Sequence, residues 1–543
     1  MIAGATTAAE PTVWLPLHHR VFRALWFAVL GSQIGTWMQT VGAQWLLVDE
    51  PNAAMLVALV QTAMMLPMLL FAVPAGVLAD VLDRRRLLIV VQWFQAATGA
   101  VLTVLTLAGQ MTPALLLTLT FVLGCGGALT VPTYQALIPD LVPRDQLTAA
   151  SALGAISMNL ARAVGPAVAG VLIAHVGPTA VFALNTTTFV AFAVVLLLWR
   201  RHPGVDAGDP EPFVAALRAA GRFVRHSAAM RRFLLRVALF ILPGVALWAL
   251  LPLVASRQLA MGPGGYGLLL AALGAGAVGG AVLLPRMQTR LSDNRLLAIA
   301  SLVYAVVLAV VALVPSTVVV TLALIPAGTA WMAVLANVNA MIQMYLPRWV
   351  RARGLGAYQV VFFGGQALGA PVWGLVAEQI GLVATFLSAA ALTAVCAATL
   401  IRWPLLETRH LDREPAVFWP EPDLTVEPAA DTGPIVVMAT YTVPPANEPG
   451  FVDAMRGVRR TRMRTGAVQW GLFRHGETND RLIEMYVVPT WGEHLRQHTG
   501  RLTGTDRDIE LRARALAEGP PEVAHLLPPD PGPGPPTREG VQP

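Results

Sequence analysis

Apolar runs of about twenty residues or more recur along the first four hundred positions, each broken by a short polar loop. A bilayer crossing needs ~20 predominantly apolar residues, and on that measure about twelve candidate spans follow in order: 22–47, 54–79, 87–108, 112–138, 148–174, 178–199, 233–256, 265–285, 296–314, 317–345, 354–377 and 381–401. The pattern predicts an all-α membrane protein in two six-helix halves, 20–200 and 233–403. A tail of 1–19 precedes them and a linker of 201–232 joins them.

The pattern then changes. Residues 404–433 are rich in Pro, Glu and Asp and read as a linker. Strands are expected over 435–443, 467–475, 481–488 and 522–527, with helices over 448–464, 490–498 and 505–517. Strand-helix-strand-strand-helix-strand predicts a small α+β ferredoxin-like unit over 434–527. The Pro-rich end, 528–543, reads as disordered.

The two halves align without gaps at a constant shift. Gly76 falls on Gly280, Arg86 on Arg290, Pro143-Arg144 on Pro347-Arg348, and Gly165, Gly170 and Gly177 on Gly369, Gly374 and Gly381. One register held across about a hundred residues marks an internal repeat. Parallel six-helix repeats form a transporter architecture with substrate bound between the halves. The halves also differ, since Asp80 falls on Leu284 and Arg162 on Gln366.

Charge sharpens this picture. Charged residues make up 13% of the chain, about half of the ~25% usual for soluble domains. The 38 basic residues are all Arg. They crowd alternate loops, Arg84 to Arg86 and Arg348 to Arg353 among them, whereas Asp49, Glu50 and Glu378 lie in the others. By the positive-inside rule both termini are expected in the cytoplasm, and the charge is not that of a nucleic-acid binder. Cys125 and Cys396 sit inside apolar spans, so neither a disulfide framework nor a metal is indicated.

The loop Gly76-Val-Leu-Ala-Asp80-Val-Leu-Asp-Arg84-Arg85-Arg86 resembles the signature between the second and third helices of the major facilitator superfamily. The resemblance implies solute transport by alternating access, with Asp80 facing the start of the eleventh helix near Arg353-Gly354 and the arginines completing a charge network. Arg84 to Arg86 could equally anchor the loop to anionic lipid. Asn159 to Gly170, with Arg162, Gly165, Pro166 and Gly170, resembles the fifth-helix motif of exporter branches, although Ala169 stands where that motif has Gly. Together with Ile34-Gly-Thr-Trp-Met-Gln-Thr40 and the appended tail, the chain resembles the transmembrane secretion effector branch, related to enterobactin exporters and macrolide-type efflux proteins. The tail itself resembles the antibiotic-biosynthesis-monooxygenase fold, for which regulation or dimerisation is the expected role.

Arg162 is read as the one strongly basic residue deep in a span, where an unsatisfied charge costs several kcal/mol. A cavity contact with an anionic substrate or a gating partner is its functional reading. Snorkelling to the interface is the structural one. Gln33, Trp37, Thr40 and Gln44 share one face of the first helix. With Asn337, Gln343, Gln359 and Gln366 they suggest a neutral polar cavity with aromatic walls, suited to a large amphipathic molecule. No Asp or Glu lies deep in a span, so the driving ion stays open. His494 and His498 stand four apart on one helix, with His475 on a strand. A solvated helical face is preferred over a metal or haem site, and neither cofactor nor catalytic residue is expected. The expectation is therefore a bacterial inner-membrane exporter of siderophore- or drug-like molecules. The rival is an enzyme or sensor acting through the tail.

Overall fold

The computed structural model describes residues 13–199 and 213–529, apart from Arg409, Glu421, Asp423, Thr425, Val426 and Glu427. The side chains of 72–73, 76–77, 79–81, 213–217 and 220 are also outside the description. Two compact units result. The first comprises Met1–Asp209, Leu234–Asn339 and Gly356–Leu405, and the second Pro210–Phe233, Ala340–Leu355 and Leu406–Pro543.

The first unit is built of long helices: α1 (Arg20–Leu46), α2 (Ala53–Val81), α3 (Arg84–Leu107), α4 (Pro113–Leu137), α5 (Leu147–Val176) and α6 (Pro178–Leu198). After the short helix α7 (Phe213–His226) come α8 (Ala228–Leu253), α9 (Pro263–Arg290), α10 (Asp293–Leu313), α11 (Thr317–Tyr345) and α12 (Arg351–Arg402). Ten helical segments among the described residues are long and apolar enough to cross a membrane, the last of them Arg348–Arg402. Helix α1 is as long but less apolar, because it carries Arg20, Arg23 and a stripe of Gln, Ser and Thr. Proline opens α4, α6 and α9, where its missing N–H costs nothing.

The repeat is visible in the backbone. Gly177 (φ 94°, ψ 169°) separates α5 from α6, and Gly381 (φ 79°, ψ 165°) breaks α12 into two helices at the equivalent place. Both conformations lie in a region open essentially to glycine alone. Close packing repeats too. A Cβ on Gly170 would stand 2.9 Å from Gly267 Cα in α9, and one on Gly374 would stand 2.9 Å from the Ala54 carbonyl oxygen in α2. Small residues at such crossings let helix backbones approach where lipid supplies no hydrophobic drive.

Arginines cap helices at the end of the bundle where they concentrate. Arg84 donates to the Ala136 carbonyl at 3.0 Å, and Arg85 to the Leu196 and Leu197 carbonyls at 2.9 and 3.0 Å, closing the last turns of α4 and α6. Asp83 accepts from Arg86 N at 2.8 Å and starts α3. Arg162 is not alone inside a span. Arg236 in α8 is buried and donates to Thr399 Oγ1 at 2.6 Å, to the Thr399 carbonyl at 3.1 Å and to the Trp403 carbonyl, capping α12. Its nearness to the start of the helix disguised it as an interfacial charge.

The second unit holds a four-stranded antiparallel sheet: β1 (Ile435–Thr442), β2 (Gln469–Arg474), β3 (Arg481–Val488) and β4 (Glu518–Leu526), in the order β2-β3-β1-β4. Helices α13 (Glu448–Thr465), α14 (Trp491–Arg496) and α15 (Gly504–Arg514) complete it. Alternate residues of β1 face a core of Tyr441, Phe451, Met455, Val458 and Leu482. Strand β4 starts four residues before the expected 522, because Pro520 and Pro521 mask it; prolines are tolerated on a sheet edge.

Two expected linkers carry structure. The 201–232 segment contains amphipathic α7, packed on α13. The 404–433 segment lies against the sheet domain, where Ala416 N donates to the Leu502 carbonyl at 3.0 Å and Trp419 Nε1 donates to Glu510 at 3.0 Å.

A buried ion cluster ties the domain together. Arg462 meets Glu484 at 3.0 Å and Glu510 at 2.8 Å. Tyr441 and Trp470 also donate to Glu484. Burial pushes the Glu510 carboxyl up, but Arg462 and Arg514, with hydrogen bonds from Arg462 and Trp419, hold it below its ordinary range.

Gly177→Ala and Gly381→Ala are each expected to destabilise the chain by about 1–3 kcal/mol, read as a fall in thermal midpoint in detergent. A Cβ meets no neighbour at either site, so an unchanged midpoint would refute the backbone argument. Arg462→Gln leaves the buried Glu484 without its arginine and Glu510 with Arg514 alone, and should cost about 3–5 kcal/mol. The Glu510 contribution is complete above its unfolded pKa and lost as pH falls through the lower folded one. In Arg462→Gln the largest influence lowering the Glu510 pKa is gone while Arg514 and Trp419 remain, so acid unfolding of the tail should begin at higher pH, measured calorimetrically from pH 7 to 4.

Candidate functional site: a cationic–aromatic cluster between the repeats

The polar face of α1 meets α5 at Gly165, where a Cβ would stand 2.6 Å from Trp37 Cβ. That missing side chain lets Trp37 lie against α5. One turn earlier on α5, the Arg162 guanidinium lies 5.7 Å from the centroid of the Trp37 ring. Tyr358 of α12 faces Arg162 and is hydrogen-bonded by Asn339 of α11. Trp37 is 6.1 Å from Trp248 of α8, and Trp248 is 5.5 Å from Trp331 of α11. Five helices from both repeats therefore converge on one cation and four aromatic rings.

Arg162 Nε and Trp248 Nε1 are buried and meet no hydrogen-bond partner. Among the described residues no carboxylate pairs with Arg162. A guanidinium stacked on an indole gains cation–π energy, but a buried N–H left unmade keeps its desolvation cost. The cluster thus presents donors without acceptors, framed by flat apolar surfaces.

One end of this cluster is closed by bonds between the repeats. Tyr266 donates to Gln44 at 2.6 Å, Gln61 to Gln366 at 3.1 Å and Thr62 to the Ala367 carbonyl at 2.9 Å. Farther out, Met55 N donates to Glu378 at 3.1 Å and Arg257 to the Val48 carbonyl at 3.3 Å. Together with the Gly170–Gly267 approach, these bonds seal the end that carries Asp49, Glu50 and Glu378. A cleft of about 580 Å³ above the seal, lined by Asn52, Arg257 and Glu378, lies away from the cluster.

The eight residues expected to line a single neutral cavity are dispersed. Trp37 belongs to the cluster. Gln33 accepts from Ser157 Oγ at 3.4 Å, and Thr40 donates to the Thr36 carbonyl at 2.9 Å. Gln44 and Gln366 serve the seal, Asn337 accepts from Gln288 at 2.8 Å, and Gln343 and Gln359 are exposed. Of the fifth-helix residues, Arg162 enters the cluster, Gly165 and Gly170 permit close packing, and Pro166 is buried within α5. Gly76 and Asp80 lie in the final turns of α2, their side chains outside the described residues. Trp248, Trp331 and Tyr358 carried no signal in the sequence, since an aromatic residue in an apolar run reads as core.

In the second unit His494 is fully buried and His498 nearly so, which overturns the solvated-face reading. Burial first, then neighbouring imidazoles, pushes His494 down to about 3 and His498 down to about 4. His475 stands apart, 3.1 Å from Glu477.

The profile of a family described as transmembrane secretion effector matches residues 11–530. The multidrug efflux pump Tap of Mycobacterium tuberculosis is 27% identical over 407 residues, 72% of this chain and 94% of that protein. The staphyloferrin A transporter of Staphylococcus aureus is 24% identical over 51% of this chain and 69% of its own length. Among solved structures, an inward-facing, occupied bacterial homologue of the lysosomal transporter Spinster is 15% identical (TM-score 0.59, 71% of this chain and 97% of that one). The nucleoside transporter NupG is 16% identical (TM-score 0.56, 72% and 99%). These likenesses identify the first unit as a major facilitator fold.

Gly170→Leu should force α5 from α9 and break the seal. In a chain with Cys125 and Cys396 replaced by Ser, Leu47→Cys lies buried near the seal. Its maleimide labelling should rise at least roughly tenfold when Gly170→Leu is added, as a backbone contact this close cannot accept a side chain. Unchanged labelling would mean the seal does not depend on this approach.

Proposed function

The chain belongs to the transmembrane secretion effector family, and from that premise we propose that it exports amphipathic small molecules bearing aromatic groups and an anionic or oxygen-rich head. That it is a multi-pass membrane transporter of the alternating-access class, rather than an enzyme, follows from the family and the fold. The substrate reading rests chiefly on Arg162, a buried cation with an unmade hydrogen bond between the repeats. Intramembrane charges that face a partner helix or cavity mark substrate paths, and repeat interfaces are where such transporters bind substrate. A carboxylate or catecholate oxygen would satisfy Arg162 while its ring stacked on Trp37 or Trp248. Relatives named for multidrug efflux and for a staphyloferrin support export of a siderophore- or drug-like molecule.

Twelve spans in two six-helix halves accommodate this reading, with α12 counted as two helices. The arginine-capped end is assigned to the cytoplasm by the positive-inside rule. The closed, acidic end then faces outward. Asp80 is assigned the gating role at the start of the eleventh span, and the capping arginines hold α3, α4 and α6 as one body while the halves rock. The tail, with the strand order of a ferredoxin-like unit, is assigned a regulatory role.

The test is accumulation in an efflux-deficient host of a panel spanning catecholate siderophores, neutral macrolides and cationic dyes. Wild type should lower accumulation of the anionic aromatic members. Arg162→Ala should lose most of that effect, Arg162→Lys should retain part, and Trp248→Leu should weaken it several-fold. Higher accumulation with wild type would indicate import. Preference for cationic dyes, or an active Arg162→Ala, would refute the role given to Arg162.

A further inference from the structure

We propose that His494, His498 and His525 form a binding site for a divalent transition metal, best suited to zinc, inside the sheet domain. His494 Nε2 lies 3.2 Å from His498 Nε2 and 3.0 Å from His525 Nε2, and the three ligand nitrogens fall within 4.8 Å of one another. Nitrogens bound at about 2.0–2.1 Å to a tetrahedral zinc stand roughly 3.3–3.4 Å apart. His494 and His498 come from successive turns of one helical segment, and His525 comes from β4, so the domain fold assembles the set.

A chain of hydrogen bonds orients the central ligand. Thr465 Oγ1 donates to the Thr461 carbonyl at 2.9 Å and so accepts from Gln497 Nε2 at 3.2 Å. Gln497 Oε1 is thereby turned toward His494 Nδ1, 3.3 Å away. An amide oxygen only accepts, so Nδ1 carries the proton and the Nε2 lone pair points at the other two imidazoles. One lone pair cannot accept well from two ring N–H groups, whereas a metal ion takes one lone pair from each of three neighbouring imidazoles. A partner on the far nitrogen that fixes tautomer and ring plane is the usual outer shell of such ligands.

The surroundings suit a cation held by neutral ligands. Trp419 lies edge-on to His498 at 4.9 Å and Trp491 lies 5.3 Å from His494, walling the site. The nearby Arg462 is neutralised by Glu484 and Glu510, and Arg222 and Arg501 share the carboxylate of Glu493. His525 is half-buried on an edge strand, which gives an entry path and leaves a fourth position for water. Helix α14 carries both His494 and Glu493, and Glu493 holds Arg222 of α7 at 2.6 Å. Occupancy of the site would therefore stiffen the helix that anchors α7.

The experiment uses the full chain purified in detergent through a Strep tag, stripped of metal and titrated calorimetrically with Zn²⁺ at pH 7.5. Co²⁺ is titrated in parallel and followed by its visible absorption. One equivalent of Zn²⁺ and the intense visible bands of four-coordinate Co²⁺ are expected. His498→Ala and His525→Ala should each abolish stoichiometric binding, Gln497→Leu should weaken it roughly 10–100-fold, and His475→Ala should leave it unchanged. Thermal midpoints show whether the variants remain folded, and the wild-type Co²⁺ spectrum reports coordination without any variant. Absence of stoichiometric binding by wild type, an octahedral Co²⁺ spectrum, or binding that survives His498→Ala and His525→Ala in folded protein would overturn the site.

Discussion

The approach of α5 to α9 at Gly170 and Gly267 governs what the membrane unit can hold. With a Cβ-to-Cα spacing of 2.9 Å, nothing larger than hydrogen fits on either glycine. Lipid gives helices no hydrophobic reason to associate, so contact of this kind depends on shape and on bonds that lipid cannot replace. Once the backbones meet, Tyr266 reaches Gln44 and Gln61 reaches Gln366. The seal these bonds make leaves Trp37, Arg162, Trp248 and Tyr358 gathered behind it. The repeat uses the same device at Gly374 against α2, so two pseudo-equivalent small-residue crossings join its halves.

Arginine does two different jobs in this chain, distinguished by what its N–H groups meet. Arg84, Arg85 and Arg236 spend their donors on the last carbonyls of α4, α6 and α12. There the charge also complements the negative end of the helix dipole. These are rigid, satisfied contacts. Arg162 has an indole face and a tyrosine beside it and a buried N–H that meets no acceptor. A satisfied cation stabilises a fold. An unsatisfied one stores a cost that a suitable ligand would remove, the basis of the substrate role proposed for Arg162.

In the tail, polarity is handled the opposite way. Arg462, Glu484 and Glu510 are buried together with Tyr441, Trp419 and Trp470 as partners. A network this complete removes the penalty of buried charge and gives the small sheet a unique arrangement. It also fixes the pose of Trp419, which walls the histidines. The segment between the sheet and the membrane helices is therefore part of the domain, though its Pro- and acid-rich composition resembles a tether.

Hydrophobic run length determined the membrane helices, and glycine spacing determined the repeat down to Gly177 and Gly381, because each depends only on local chemistry. Alternation in the tail located its strands for the same reason, failing only where Pro520 and Pro521 open an edge strand. Arg162 was legible because a charge in an apolar run is conspicuous. Trp248, Trp331 and Tyr358 were not, since an aromatic in such a run looks the same whether it faces lipid, core or cavity. The stripe on α1 divided between cluster and seal because one helix face spans more depth than one site. His525 joined His494 and His498 from a strand far along the chain. Spacing along a chain reveals what a residue shares with its own helix or strand; which elements meet, and hence which donors are left without acceptors, is decided only when the chain packs.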